Sequence, residues 1–326
     1  MAKKIAVALG GGGVRGYAHI GVLEQMIQEG YEIAAVSGTS AGGIVGSLFA
    51  SGYTPEEIKG FIDEINPNSM FGRQSNDPPS ILGLSGLYKM MKSKFGEKTF
   101  SDLKIPFACT AVDLHSGSEI IINSGKLIDA IEATTAIPGV FPSKIIGPLN
   151  MVDGGIFDPV PVASARWLTP NLPIIAVCLT PEQENWKNLP HVKVPLHMPI
   201  PAQVMETVFQ LRIGKAAMIF ADSIDIMTNM IAELKLKIDK PDYILRPDIR
   251  KYAIFDDIDP FDLVMRGKQI VIKNRSELKR IFSTSYRVGR WLKPSHLPGK
   301  LFSDIMGEYE LSILEESEQS NQNPKS

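Results

Sequence analysis

Ser40 lies in the run Gly38-Thr39-Ser40-Ala41-Gly42, a G-x-S-x-G pattern with an apolar stretch before it, Ile33 to Val36, and a small-residue stretch after it, Ala41 to Ser51. A serine held in a sharp turn between a strand and a helix is a nucleophile elbow. Its backbone is strained by about 1 to 3 kcal/mol, and neighbours without bulk make the turn possible. Gly38 and Gly42 supply that room. The turn also lifts the hydroxyl above the carboxyl end of a sheet and sets it at the amino end of a helix, where backbone dipoles favour negative charge. Alone, the pattern also arises in any glycine-rich loop, so two further stretches matter.

The first is Gly10-Gly11-Gly12-Gly13-Val14-Arg15-Gly16, directly after the apolar run Lys4 to Leu9 and before a helical pattern from Tyr17 to about Glu29. Gly11 to Gly16 fits the dinucleotide fingerprint G-x-G-x-x-G. The ribose-binding acid of that fold belongs at the end of the second strand, whereas Glu32 falls before the strand expected over Ile33 to Val36. No Lys-Ser/Thr pair closes the loop as a phosphate loop requires. Side-chain-free residues do expose backbone N–H groups for an oxyanion, with Gly11 and Gly12 the first choice as donors and Gly13 next. The second stretch is Asp153-Gly154-Gly155, in which an aspartate is held at a tight turn with little around it; an ordinary Asp-Gly turn is the plain alternative.

A serine nucleophile needs a base, and histidine is the usual one. The five histidines are His19, His115, His191, His197 and His296. Ser40, Asp153 and His191 or His197 can be arranged as a triad on paper, but no histidine has a distinctive neighbourhood.

The elements that must position these residues follow an α/β pattern. Core strands are expected at Lys4 to Leu9, Ile33 to Val36, Ile105 to Leu114, Ile174 to Leu179 and, last, Asp242 to Leu245, with Glu119 to Asn123 antiparallel to its neighbour. Helices are expected at Thr54 to Glu64, Ile128 to Thr135 and Phe261 to Ser276, and in two parts at Pro201 to Phe220 and Asp222 to Leu236. The Met-rich stripe of those two parts, Val204, Val208, Leu211, Met218, Ile224, Met227, Ile231 and Leu234, reads as core or subunit interface. Asn66 to Gly86 and Pro181 to Pro201 read as loops. Leu87 to Phe95 is amphipathic, and two accounts stand: packing against the sheet, or a mobile cover touching lipid. Ala136 to Pro142 is a rigid apolar turn able to wall a pocket.

Across 326 residues the chain carries a net charge of -2 and 44% apolar residues, which gives no electrostatic reason to expect nucleic acid. Cys109 and Cys178 fall in apolar runs and read as buried core thiols, suiting a reducing compartment. The cluster Asp256, Asp257, Asp259 and Asp262 lacks the glycine and final glutamate of a calcium loop. No window approaches the roughly 18 to 20 apolar residues of a membrane span. A cytoplasmic location is expected, with peripheral membrane contact allowed.

Taken together, Gly11-Gly12-Gly13-Val14-Arg15-Gly16, Gly38-Thr39-Ser40-Ala41-Gly42 and Asp153-Gly154-Gly155 resemble the patatin-like phospholipase family, more narrowly its bacterial members similar to the domain of neuropathy target esterase. Further likeness lies in Tyr17 to Leu23, in Ala136 to Pro142 and in Pro241 to Asp248, so the resemblance covers roughly residues 4 to 275. It implies a three-layer α/β/α fold with a mainly parallel central sheet and a Ser40–Asp153 dyad without a catalytic histidine. An oxyanion hole at Gly11, Gly12 and Gly13 is implied too, with Arg15, Gly16, Gly38, Gly42, Gly154 and Gly155 supporting the motifs and no cofactor or metal. An aspartate near its reference pKa of roughly 3.9 is a poor base for a hydroxyl, so burial beside Ser40 must raise its basicity. Thr134-Thr135 stands where small residues such as Ala-Ser are usual in the family, a departure from which little is expected.

The resemblance thus implies a hydrolase of lipid acyl esters working through an acyl-enzyme. The alternatives are a catalytically silent regulatory lipid-binding module on the same scaffold, and a nucleotide-binding protein reading the glycine loop as a phosphate cradle. A homo-oligomer is left open. Residues 1–275 are expected to form the catalytic domain, 276–315 a helical extension and 316–326 a disordered polar tail.

Overall fold

The computed structural model describes residues 3–63, 70–72, 77–182, 184, 186, 212–256, 258–284, 286 and 299–322. The chain opens with β1 (Lys3–Leu9), then α1 (Tyr17–Gln28), β2 (Tyr31–Gly38), α2 (Ala41–Ala50), α3 (Pro55–Asp63) and α4 (Ser85–Phe95). Next come β3 (Phe107–Asp113), β4 (Ser118–Ile122), α5 (Leu127–Thr134), β5 (Lys144–Ile146), β6 (Leu149–Asp153), α6 (Val162–Leu168) and β7 (Ile174–Val177). The last elements are α7 (Arg212–Asp239), β8 (Tyr243–Leu245), α8 (Pro260–Lys273), α9 (Arg275–Arg280), β9 (Lys300–Leu301) and α10 (Phe302–Gln322).

Strands run in the order β5-β6-β3-β2-β1-β7-β8, and β4 pairs with both β3 and β9. The five strands from β3 to β8 are mutually parallel, while β4 and β6 run antiparallel to β3 and β5 runs antiparallel to β6. Central strands covered on both faces read as continuous apolar runs, which is why β1 and β3 are buried along nearly their whole length. Alternate residues of β1 sort into two cores. Ile5, Val7 and Leu9 pack with Ile20 and Leu23 of α1 and Leu48 of α2. Ala6 and Ala8 face the other way, where Ala165 of α6 and Ala232 and Leu236 of α7 cover them. Helices on both sides of one mainly parallel sheet make a three-layer α/β/α fold.

One pairing decides where the chemistry can occur. On one edge of β3, Gly38 at the end of β2 lies opposite Cys109, and two residues further along Asp153 at the end of β6 lies opposite Ala111. The other edge is taken by β4 over the same stretch. The ends of β2 and β6 therefore point at each other along a shared neighbour, and the residues that follow them must meet.

Several expectations are corrected. β2 begins at Tyr31, so Glu32 lies inside the strand, where its side chain pairs with Lys4 at 3.1 Å. Tyr243–Leu245 is not the last strand, because Lys300–Leu301 returns to pair with β4. The two helical parts after Pro201 are, within the described residues, one helix from Arg212 to Asp239, since no glycine or proline interrupts it after Gly214. Of its stripe, Met227 and Leu234 face outward rather than into the core, while Val204, Val208 and Leu211 lie outside the described residues. Among the described residues, helix α10 runs to Gln322, across much of the stretch expected to be disordered. No helix among the described residues is long and apolar enough to cross a membrane.

Candidate active site

Ser40 caps α2 with φ 53° and ψ -118°, one of two positive-φ non-glycine residues among those described. Such a conformation is sparsely populated for a residue with a side chain and persists only where the surroundings over-determine it. They do so here. A Cβ on Gly38 would lie 2.3 Å from the Gly42 carbonyl oxygen, and one on Gly42 would lie 2.1 Å from that of Leu9, so the turn closes only because both positions are glycine. The Ser40 N–H donates to Thr134 Oγ1 at 3.0 Å, and that hydroxyl donates to the Thr110 carbonyl at 2.7 Å. Thr39 Oγ1 donates to the Asp158 carbonyl at 2.8 Å and lies 2.8 Å from Thr110 Oγ1. Three threonines from β3, α5 and the elbow itself thus brace the bend.

Asp153 arrives from β6. Its N–H donates to the Ala136 carbonyl at 2.9 Å, and its Oδ1 accepts from the Gly155 N–H at 2.7 Å. Ser40 and Asp153 line the same cavity, and the Ser40 side chain acts on the carboxyl group of Asp153. Burial pushes this carboxyl up to about 6, against the pull of Ser40 and Gly155. Gly154 packs where a Cβ would come 2.2 Å from Thr110 Oγ1, so the turn after Asp153 needs it as closely as the elbow needs its own glycines.

The glycine loop divides its N–H groups. Gly10 donates to Val177, Gly11 to the Pro159 carbonyl at 2.9 Å, and Val14 to Ile254. Gly11 therefore has no hydrogen left for a ligand, although its backbone lies against the Ser40 Cβ. The N–H groups of Gly12 and Gly13 meet no protein acceptor among the described residues. Gly16 sits against Ala41, tucking the loop under α2. Arg15 is buried, with Nε on the Tyr252 carbonyl at 2.8 Å. Its burial lowers the guanidinium's pKa, which Asp225 and Asp256 counter.

No described histidine reaches Ser40. His19 is fully buried with Nε2 donating to the Gly10 carbonyl at 2.7 Å, and burial lowers its pKa to about 4, so it braces the loop as a neutral ring. His115 is exposed against the Pro148 carbonyl. His191, His197 and His296 lie outside the described residues. Among the described residues no group of His, Cys, Asp or Glu could hold a metal ion. Cys109 and Cys178 are free, buried thiols, raised by that burial.

Two chambers meet at Ser40, sharing Gly13, Ile137, Ile254 and Phe255 in their walls. One, of about 280 Å³, runs into the apolar core past Val45, Leu48, Phe71, Leu87 and Phe141. Leu87 of α4 packs inward there, with Met91 and Phe95 buried behind it. The other, of about 210 Å³, holds Gly12, Arg15 and Asp153 and is closed by Asp225, Thr228 and Asn229 of α7.

Residues 7–166 match the model of the family described as patatin-like phospholipase. The chain belongs to the patatin-like phospholipase family. All three motifs fall inside the matched span, whereas the α7 wall falls outside it. An NTE family protein of Mycobacterium tuberculosis is 34% identical over 174 residues, 52% of this chain and 48% of that one. Against YqhO of Bacillus subtilis the identity is 30% over 211 residues, 54% of this chain and 71% of that one. The chain spans about half the length of the mycobacterial relative. Among solved structures, VipD from Legionella pneumophila shares 13% identity at a TM-score of 0.49, covering 85% of this chain and 67% of that chain.

In this patatin-like chain the structure brings Ser40, Asp153, Gly12, Gly13 and Arg15 to one cavity. Gly38, Gly42, Gly16 and Gly154 stand behind it as steric necessities. Sequence reasoning underweighted Thr134 and missed Asp225 and Asn229. The i, i+4 spacing of Asp225 and Asn229, with Thr228 beside them, was the available signal for the last two.

Proposed function

We propose that this chain is a serine hydrolase of lipid acyl esters, working through a Ser40–Asp153 dyad and an acyl-enzyme. The observation that carries the reading is the position of Ser40, bent to φ 53° at the amino end of α2, in one cavity with the buried Asp153 and the glycine loop, where two chambers converge.

Ser40 Oγ attacks the acyl carbonyl carbon as its proton passes to Asp153, whose raised basicity suits it to a base near neutral pH. The carbonyl oxygen becomes an alkoxide, held by the N–H groups of Gly12 and Gly13, with Gly11 supplying close approach rather than a hydrogen. The tetrahedral species collapses, the ester C–O bond breaks, and protonated Asp153 gives its proton to the leaving oxygen. Water, deprotonated by Asp153, then attacks the acyl carbon, the bond to Ser40 Oγ breaks, and Asp153 returns the proton to that oxygen as the fatty acid leaves. The apolar chamber suits the acyl chain: burying methylenes there gains about 0.8 kcal/mol each. Two free, buried cysteines are in keeping with a reducing, cytoplasmic setting, from which the protein would meet lipid at a membrane surface.

Ser40→Ala and Asp153→Asn should each lower hydrolysis of p-nitrophenyl butyrate by about 10³ or more. Near-full activity in either would refute the dyad. Labelling of Ser40 by a fluorophosphonate separates an enzyme from a silent lipid-binding module, which would leave the probe unreacted.

A further inference from the structure

Helix α7 has two unlike faces. Ile224, Asp225, Thr228 and Asn229 line the smaller chamber beside Ser40. At about 3.6 residues per turn, Ile226, Met227, Met230, Leu234 and Ile238 fall on the outer side, and each is between 40% and 59% exposed. Ala232 and Leu236 already seat the helix in the core with Ala6 and Ala8 of β1, so the outer stripe is not needed to hold it there. From Ile226 to Ile238 the stripe is an apolar ribbon about 18 Å long, at a rise of about 1.5 Å per residue.

The charges along the same stretch are sorted too. Between Asp222 and Lys240 the other exposed side chains are Ser223, Lys237 and Lys240. The acids turn elsewhere: Asp225 lines the chamber, Glu233 pairs with Arg246 at 2.6 Å, Asp239 is buried 3.7 Å from Lys235, and Asp222 is half-buried. The exposed charge of this stretch is therefore positive and stands at one end of the ribbon. A helix with an apolar stripe bordered by lysines lies flat in a lipid interface, where acyl chains take the stripe and anionic head groups take the cations. A second copy of the chain is served less well. Five half-exposed side chains offer roughly a few hundred Å², short of the roughly 800 Å² per partner of a stable protein interface.

We infer that the outer face of α7 is a docking surface for an anionic lipid layer, with Ile226, Met230 and Leu234 entering its acyl region and Lys237 and Lys240 meeting its head groups. The choice of lipid rests on the lipid-ester reading above, whereas docking itself requires neither Ser40 nor Asp153. A docked layer is separated from the chamber beside the nucleophile by the thickness of one helix, about 10–12 Å.

The test is co-sedimentation of the full chain with vesicles of phosphatidylcholine, alone or mixed with an equal amount of phosphatidylglycerol. Wild-type protein should bind the mixed vesicles about tenfold or more tightly than the neutral ones. Met230→Ser combined with Leu234→Ser should weaken binding to the mixed vesicles by about tenfold or more. Lys237→Glu combined with Lys240→Glu should abolish the preference for them. Both double variants should hydrolyse soluble p-nitrophenyl butyrate at the wild-type rate, and Ser40→Ala should bind vesicles as wild type does. Should the serine pair fail to fold, the lysine pair still reads the preference. No binding to either vesicle, equal binding to both, or undiminished binding by the serine pair would each overturn the inference. So would a wild-type dimer, seen in sedimentation velocity, that the serine pair splits into monomers, since the face would then belong to a second copy. If hydrolysis of p-nitrophenyl butyrate persists while vesicle binding is missing, the docking surface fails and the dyad stands. If vesicles bind while Ser40-dependent hydrolysis is absent, the dyad fails alone.

Discussion

The backbone N–H of Ser40 is held by the side chain of Thr134, 94 residues away in sequence and 3.0 Å away in space. The same hydroxyl donates to the Thr110 carbonyl, so one side chain ties the elbow to β3. Thr134→Val keeps the shape and removes both bonds, stranding a buried N–H and weakening the satisfaction of a carbonyl. The expected cost is about 1–3 kcal/mol in chemical denaturation. Because the nucleophile's bend loses its brace, kcat for p-nitrophenyl butyrate should also fall about tenfold or more, with little change in KM. Thr134→Ser, which retains the hydroxyl, should recover most of both.

The raised basicity of Asp153 has two signatures. As a base it must be deprotonated, so kcat/KM should climb about tenfold per pH unit below pH 6 and level off above it, its midpoint near the pKa of about 6. In stability the sign is opposite. Since the folded carboxyl holds its proton more tightly than the unfolded one, whose ordinary value is 3.8, stability is greatest at acid pH and is lost as pH rises from about 4 to about 6. The loss is roughly 3 kcal/mol. Asp153→Asn should therefore melt higher than wild type at pH 8 and gain little at pH 4, read by thermal unfolding at both.

Glycine substitutions should separate by space. Gly42→Ala would drive a Cβ to 2.1 Å from the Leu9 carbonyl oxygen, which belongs to the central strand and cannot retreat. Loss of about 3 kcal/mol or failure to fold is expected. Gly60→Ala, in α3 with nothing within 4 Å of the added carbon, should instead gain about 0.5–1 kcal/mol from helix propensity. Denaturant midpoints of the two proteins test the pair.

Lys235 of α7 sits 3.4 Å from Asp158, 3.7 Å from Asp239 and 3.9 Å from Glu119, all three acids buried. Removing the cation leaves buried carboxylates without compensation, so Lys235→Met should cost about 3 kcal/mol at pH 8. Asp158, raised by burial and by its acidic neighbours, accepts a proton as pH falls, and the penalty should shrink by pH 5. An equal penalty at both pH values would refute this role. Because the Asp158 carbonyl also holds Thr39, the variant should lose esterase rate along with stability.

The elbow, the glycine loop and the aspartate turn were legible in the sequence because each depends on local backbone chemistry: a glycine where a Cβ cannot fit, and a nucleophile between an apolar strand and a small-residue helix. What escaped depends on long-range register. That Gly11 surrenders its N–H to Pro159 follows from how the loop after Asp153 folds under β1, which no spacing within Gly10 to Gly16 reveals. Thr134 looked like a harmless deviation because its partners come from two other elements. Asp225 and Asn229 were hidden in a helix judged by its apolar stripe, when its three polar residues lining the Ser40 cavity, Asp225, Thr228 and Asn229, carried the information. The short β9 lies beyond a stretch of proline and basic residues that offers no periodicity.

Because β2 and β6 both take their positions from β3, nucleophile and acid are keyed to a common rail rather than to each other through the intervening chain. The exposed hairpin tip at Ser116-Gly117 belongs to the same rail: Ser116 donates to Asp113, and the other carboxylate oxygen of Asp113 accepts from the Asn150 N–H of β6. One side chain thus clasps the strand that delivers the acid to the turn that closes the rail.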